Sequence, residues 1–122
     1  MTTTHNQSVG RWGEARAAEY LSACGYHILG RNLRTPYGEI DLLAQQGGQL
    51  VFVEVKTRTS RAFGNPEEAV TARKREHLLA AAQHYLQEHP ALPADWRVDV
   101  IAIYRPESGL PPEVTHFENI LT

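Results

Sequence analysis

The sequence predicts one mixed α/β domain over residues 1–122, a mixed β-sheet flanked by helices in the order α, β, β, β, α, β, with a candidate final edge strand. Three observations carry this. Short runs rich in strand-forming residues, with period-two alternation, follow one another between residues 26 and 57. Two stretches with apolar residues at helical spacing flank them. WRVDVIAIY, residues 96–104, reads as a strand buried within the sheet. A chain of 122 residues with 42% apolar content suits a single core and leaves no room for a second.

The elements follow in order. Ser8 to Cys24 reads as a helix, because Val9, Ala17, Ala18 and Leu21 recur on one face and Gly25 stands where glycine often stops a helix. Tyr26 to Leu33 reads as a short strand. Gly38 to Gln46 and Gln49 to Thr57 are two further strands, joined by Gly47-Gly48 as a two-residue hairpin turn. Arg58 to Pro66 is a loop. Asn65-Pro66-Glu67-Glu68 supplies a cap, a first-turn proline and acids at the positive end of a second helix, which runs to about His89 with a candidate restart at Thr71. Leu78, Ala81, Ala82 and Tyr85 form its apolar stripe, and Pro90 and Pro93 end it. Trp96 to Tyr104 is the fourth strand, Pro106 to Pro112 a loop, and Val114 to Leu121 the candidate edge strand.

Cys24 is the one cysteine, which excludes an intrachain disulfide and suits a reducing cytoplasm; it is expected to be a small core residue. The opening MTTTHNQS is polar, and no apolar stretch approaches the ~20 residues needed to cross a bilayer. The expected location is cytoplasmic, with no membrane partner. A net charge of −2 counts against a protein that coats nucleic acid. The charge is uneven, however. Lys56 to Arg75 holds six basic and two acidic residues, whereas Leu78 to the end holds two basic and six acidic. Arg58, Arg61, Arg73, Lys74 and Arg75 could therefore form a local phosphate-binding face.

Strand alternation puts Leu50, Phe52, Glu54 and Lys56 on one face and Val51, Val53 and Val55 on the other. Counting back from the glycine turn, Gln46 opposes Gln49, Leu42 opposes Val53, Asp41 opposes Glu54 and Glu39 opposes Lys56. Directly opposed residues have Cβ atoms ~4.5–5.5 Å apart, and like charges there are destabilising. A hard divalent cation with oxygen ligands, Mg²⁺ or Mn²⁺, would resolve the conflict. Lys56, one pleat along, would hold a water or a phosphate oxygen, or help that water lose its proton. Glu14 falls inside the first helix's apolar stripe and needs a partner, either this metal site or a cation such as Arg11. Lys74 lies one turn before Leu78 and faces the same region, unless it snorkels to the surface. A helix starting at Thr71 would crowd Arg73, Lys74 and Arg75 at its positive end, an unfavourable place unless an anion sits there.

Other residues read blandly. His77 and His84 belong to the solvated side of the second helix, and His5 and His116 lie in terminal segments without signal. Asp99 is either a support for the site or an exposed strand residue. The sequence has no phosphate-loop, dinucleotide, zinc-spacing or nucleophile-elbow motif.

GEIDLL (Gly38 to Leu43) and VFVEVKTR (Val51 to Arg58) together have the form D-x12-E-x-K. This resembles the PD-(D/E)XK nuclease signature of restriction enzymes and archaeal Holliday-junction resolvases. More closely, the chain resembles the bacterial YraN family, through GRWGEARAAEYL, GYHILGRNLR, GEIDLL, FVEVKTR, FGNPEEAVTARKREHL and WRVDVIAI, which reach to about Tyr104. The resemblance implies a restriction-endonuclease-like core. Asp41, Glu54 and Lys56 match the signature residues, and Glu14 matches the first-helix acid of resolvase-like members. The proline that names the motif is absent, since Glu39-Ile40 precedes Asp41. The expected function is metal-dependent hydrolysis of DNA, branched or structured forms included, with Glu14, Asp41, Glu54 and Lys56 catalytic and Asp41, Glu54 and Glu14 on the metal. The alternative is a binding module of DNA processing on the same fold. Expected partners are DNA, a DNA-processing protein and a second copy of the chain, because resolvases act as dimers on two-fold symmetric junctions.

Overall fold

A computed structural model describes residues 2–59, 70–107 and 109–121, with side chains from Ser8 onward. Helix α1 spans Thr2–Ala23, strands β1 His27–Thr35, β2 Gly38–Gln46 and β3 Gln49–Arg58, helix α2 Ala72–Glu88, and strands β4 Trp96–Tyr104 and β5 Glu113–Phe117. The five strands form one sheet in chain order, β1-β2-β3-β4-β5. All neighbours are antiparallel except β3 and β4, which run parallel. Parallel neighbours need a long crossover, and the segment containing α2 supplies it.

Strands β2 and β4 have the predicted bounds. β1 continues past Leu33 because Arg34 and Thr35 pair with Glu39 and Gly38 across a two-residue turn. β3 reaches Arg58, which pairs with Tyr104. β5 stops at Phe117, short of Leu121. α2 begins at the expected restart: Thr71 caps it, its hydroxyl accepting the Lys74 N–H at 3.1 Å. The Asn65 to Glu68 start and Arg61 lie outside the described residues.

Each face of the sheet carries its own helix. Ala17, Ala18 and Leu21 of α1 pack on Leu42, Val51, Val53 and Ile101. Leu78, Ala81 and Ala82 of α2 pack on Leu43, Leu50, Phe52 and Val98. β3 therefore alternates between the two helices as its pattern predicts, and each large side chain it buries contributes roughly 1.5–3 kcal/mol. α1 can lie this close to β3 only because residue 13 is glycine. A Cβ there would overlap the Thr57 hydroxyl and sit 2.9 Å from Thr57 Cβ. Cys24 corrects the expectation of a core residue. It is exposed, because α1 ends one residue earlier and Gly25 turns the chain away with a φ of 92°.

Candidate metal and nucleic-acid site

The β2–β3 ladder has the counted register from Gln46↔Gln49 to Leu42↔Val53. The paired ladder ends there. In the next step the Asp41 carboxylate, rather than a backbone carbonyl, accepts the Val55 N–H, at 2.8 Å. Ile40 lies in the α2-side core and Leu42 in the α1-side core, although strand alternation would put them on one face. β2 therefore rotates at Asp41, and its carboxylate sits in the gap between separating strands. Two depressions open from this gap. One, of about 420 Å³, is lined on the α1 side by Gly10, Glu14, Lys56 and Thr57, and the other, of about 260 Å³, on the α2 side by Tyr37, Glu39, Lys74 and His77. Asp41 and Glu54 line both.

The electrostatics at this gap are uneven. Burial, then the neighbouring Glu54, push the Asp41 carboxyl up to about 7; the Val55 N–H opposes this, and Glu14 and Glu39 add to it. Glu54 is 7% exposed and is held by cations, Lys74 Nζ at 2.6 Å and Lys56 Nζ at 3.7 Å. Burial lowers the Lys56 pKa, and the Lys74 ammonium lowers it further against the pull of Glu54 and Asp41. Burial acts most strongly, to lower Lys74, but its hydrogen bond and charge attraction to Glu54, with Lys56 and Asp41 adding, together outweigh this and the net shift is upward.

Glu14 turns toward the sheet, as its place on α1 predicts. Its partner is Asn32, whose amide donates to both Glu14 Oε1 and Glu39 Oε1 at 3.0 Å. Asn32 reaches both from a left-handed backbone, with a φ of 52°. Oxygens of Glu14, Glu39 and Asp41 lie within 4.8 Å of one another. This all-oxygen set suits a hard divalent cation. It differs from the expected set in one member. Glu54 is turned to Lys74, and Glu39, which the sequence reading passed over, takes its place. The available signal was spacing, since Glu39 and Asp41 are two residues apart on one strand.

Of the expected phosphate contacts, Lys74 is brought into the site. Arg58 is half-buried at the end of β3, with Nε lacking a hydrogen-bond partner. Arg73 and Arg75 are exposed on the first turn of α2. His77 is exposed, as expected, and rims the smaller depression. Asp99 is neither exposed nor a support for the carboxylates. Fully buried, it accepts from Arg97 Nε at 3.0 Å and the Asn119 N–H at 2.9 Å, and meets His116 Nε2 at 2.7 Å. Burial alone would raise its pKa, but these partners hold it below the ordinary carboxylate range. His116 is thus a structural partner, which corrects its reading as a residue without signal.

Fold and site together define a small α/β domain with an acidic, lysine-flanked cleft between two parting strands. The chain belongs to the uncharacterised protein family UPF0102, whose model matches residues 13–103; this is the YraN family named above. A UPF0102 protein of Syntrophotalea carbinolica is 49% identical over 115 residues, covering 94% of this chain and 92% of the relative. One of Syntrophomonas wolfei is 50% identical over 98 residues, covering 80% and 85%. One of Moorella thermoacetica is 46% identical over 104 residues, covering 85% and 86%. Among the described residues, no helix is long and apolar enough to cross a membrane.

Proposed function

We propose that this protein is a divalent-metal-dependent nuclease of the PD-(D/E)XK type that hydrolyses phosphodiester bonds in DNA, branched or structured forms included. The observation that carries the reading is Asp41, a carboxylate in a strand gap with the Glu14 and Glu39 oxygens within 4.8 Å, whose ionisation burial and then the neighbouring carboxylates suppress. Glu14, Glu39 and Asp41 would hold Mg²⁺ or Mn²⁺, and Glu54 would join them on leaving Lys74. When bound, the ion would acidify a water and offset charge on the phosphate. Lys56, with its lowered pKa, would position that water and take part in moving its proton. Lys74 and Arg58 would contact phosphates. The reading places the protein in the cytoplasm, with a second copy of the chain or a DNA-processing protein as partner.

The test is cleavage of labelled duplex, single-stranded, flap and four-way-junction DNA with Mg²⁺ or Mn²⁺, beside Asp41→Ala and Glu54→Ala. Cutting that requires metal and both carboxylates is the expected result. One observation favours a second reading, a non-catalytic binding module: Glu54 already has a cationic partner at 2.6 Å. Absence of Mn²⁺ binding in a titration of the folded protein would favour that reading.

A further inference from the structure

We propose that Tyr37 is a stacking platform for an unpaired nucleobase, so that the site takes DNA carrying a single-stranded segment. The location rests on the nuclease reading of the cleft; the stacking itself does not. Tyr37 occupies the turn between β1 and β2, and 56% of it is exposed, a large apolar surface that the core does not use. The turn is fixed by two hydrogen bonds. Thr35 Oγ1 donates to the Gly38 carbonyl at 2.6 Å and accepts the Tyr37 N–H at 3.1 Å. His84 of α2 braces the ring edge-on, with centroids 6.0 Å apart. The ring is thus held in place while much of it stays open to solvent.

Its position gives the exposure a use. Tyr37 lines the same depression as Asp41, Glu54 and Lys74, so a strand with its phosphate at Lys74 has a neighbouring base within reach of the ring. An aromatic face accepts any base without reading its edge, but the base must be free to leave its own stack. Paired bases inside a duplex are not. Glu39 and Asp41 repel phosphate unless a cation lies between, so backbone and base contacts are needed together.

The experiment measures binding of a short single-stranded DNA carrying a fluorescent purine analogue, and of its blunt duplex, in Ca²⁺. Wild type and Tyr37→Phe should bind the single strand tighter than the duplex and quench the analogue. Tyr37→Ala should bind the single strand about tenfold more weakly, the size of one lost base–aromatic stack, and should not quench. The inference is overturned by a Tyr37→Ala variant that matches wild type, by equal affinity for duplex, or by no single-strand binding at all. Parallel incubation with Mg²⁺ or Mn²⁺ keeps the two readings apart. Tyr37-dependent binding without cutting removes only the nuclease reading, and cutting that ignores Tyr37→Ala removes only this one.

Discussion

Asp41 in β2 and Asp99 in β4 are both acids set into an apolar sheet, and their surroundings push them in opposite directions. Asp99 has an arginine, a histidine and a backbone N–H on its two oxygens, and its proton is held off. Asp41 has one backbone N–H, and burial first, then the Glu54, Glu14 and Glu39 carboxylates, raise its pKa, so its proton is retained up to about pH 7. The first arrangement is complete within the chain. The second gathers carboxylates around a single backbone donor, which is the ground for the metal site proposed above. A buried acid is therefore uninformative about function until its partners are known.

The two acids also oppose each other in pH dependence. The Asp41 pKa rises from 3.8 to about 7 on folding, so the folded state binds its proton more tightly and stability falls as pH rises across that window. The Asp99 pKa is depressed on folding, so its contribution is present above the ordinary carboxylate range and is lost as pH falls through its folded value.

The largest expected effect is on activity. Asp41→Ala should reduce metal-dependent DNA cleavage to background while circular dichroism stays native; cleavage surviving in a nuclease-free preparation would remove Asp41 from the reaction. Asp99→Ala should do the reverse. It leaves the half-buried Arg97 with the more exposed Glu118, 3.5 Å away, as a counter-ion and should cost roughly 3 kcal/mol in urea denaturation, with Mn²⁺ affinity in the folded protein unchanged. Loss of Mn²⁺ binding there would merge the two regions into one. Gly13→Ala probes the helix seat that carries Glu14. It should cost about 1–3 kcal/mol, and adding Thr57→Ala should recover part of this. The smallest effect separates the acids by sign. Without metal at pH 8, Asp41→Asn should raise stability by about 1–2 kcal/mol, a gain that vanishes near pH 4 and is offset when Mg²⁺ stabilises wild type alone.

The parts legible in the sequence were the local ones. Gly47-Gly48 and the alternation on either side define β2, β3 and their register as far as Leu42↔Val53; the expected pairs Asp41 with Glu54 and Glu39 with Lys56 do not form, because β2 rotates at Asp41, whose carboxylate takes the Val55 N–H. The apolar α1 stripe marked Glu14, because an acid among alanines has few places to go. Two features were hidden. A register shift between Ile28 and Gly30 pushes Leu29 outward, and a single inserted residue leaves no mark in composition. The Asp99 network joins residues 97, 99, 116 and 119, and the link from β4 to the chain end appears only when β5 pairs with β4. Glu39 was overlooked because the opposing-strand count assigned it to Lys56, while β1 in fact brings Asn32 to it.

Sheet order and chain order coincide, which bears on how the molecule assembles. The strands β1, β2 and β3 are joined by two turns of two residues each, so this meander can close with little loss of chain entropy. It contains Glu39, Asp41 and Glu54, and their mutual repulsion is therefore met early in folding. Glu14 and Lys74 arrive only as the helices dock. Relief of the repulsion by Asp41→Asn should accordingly appear as faster folding rather than slower unfolding, in the folding limb of a denaturant chevron.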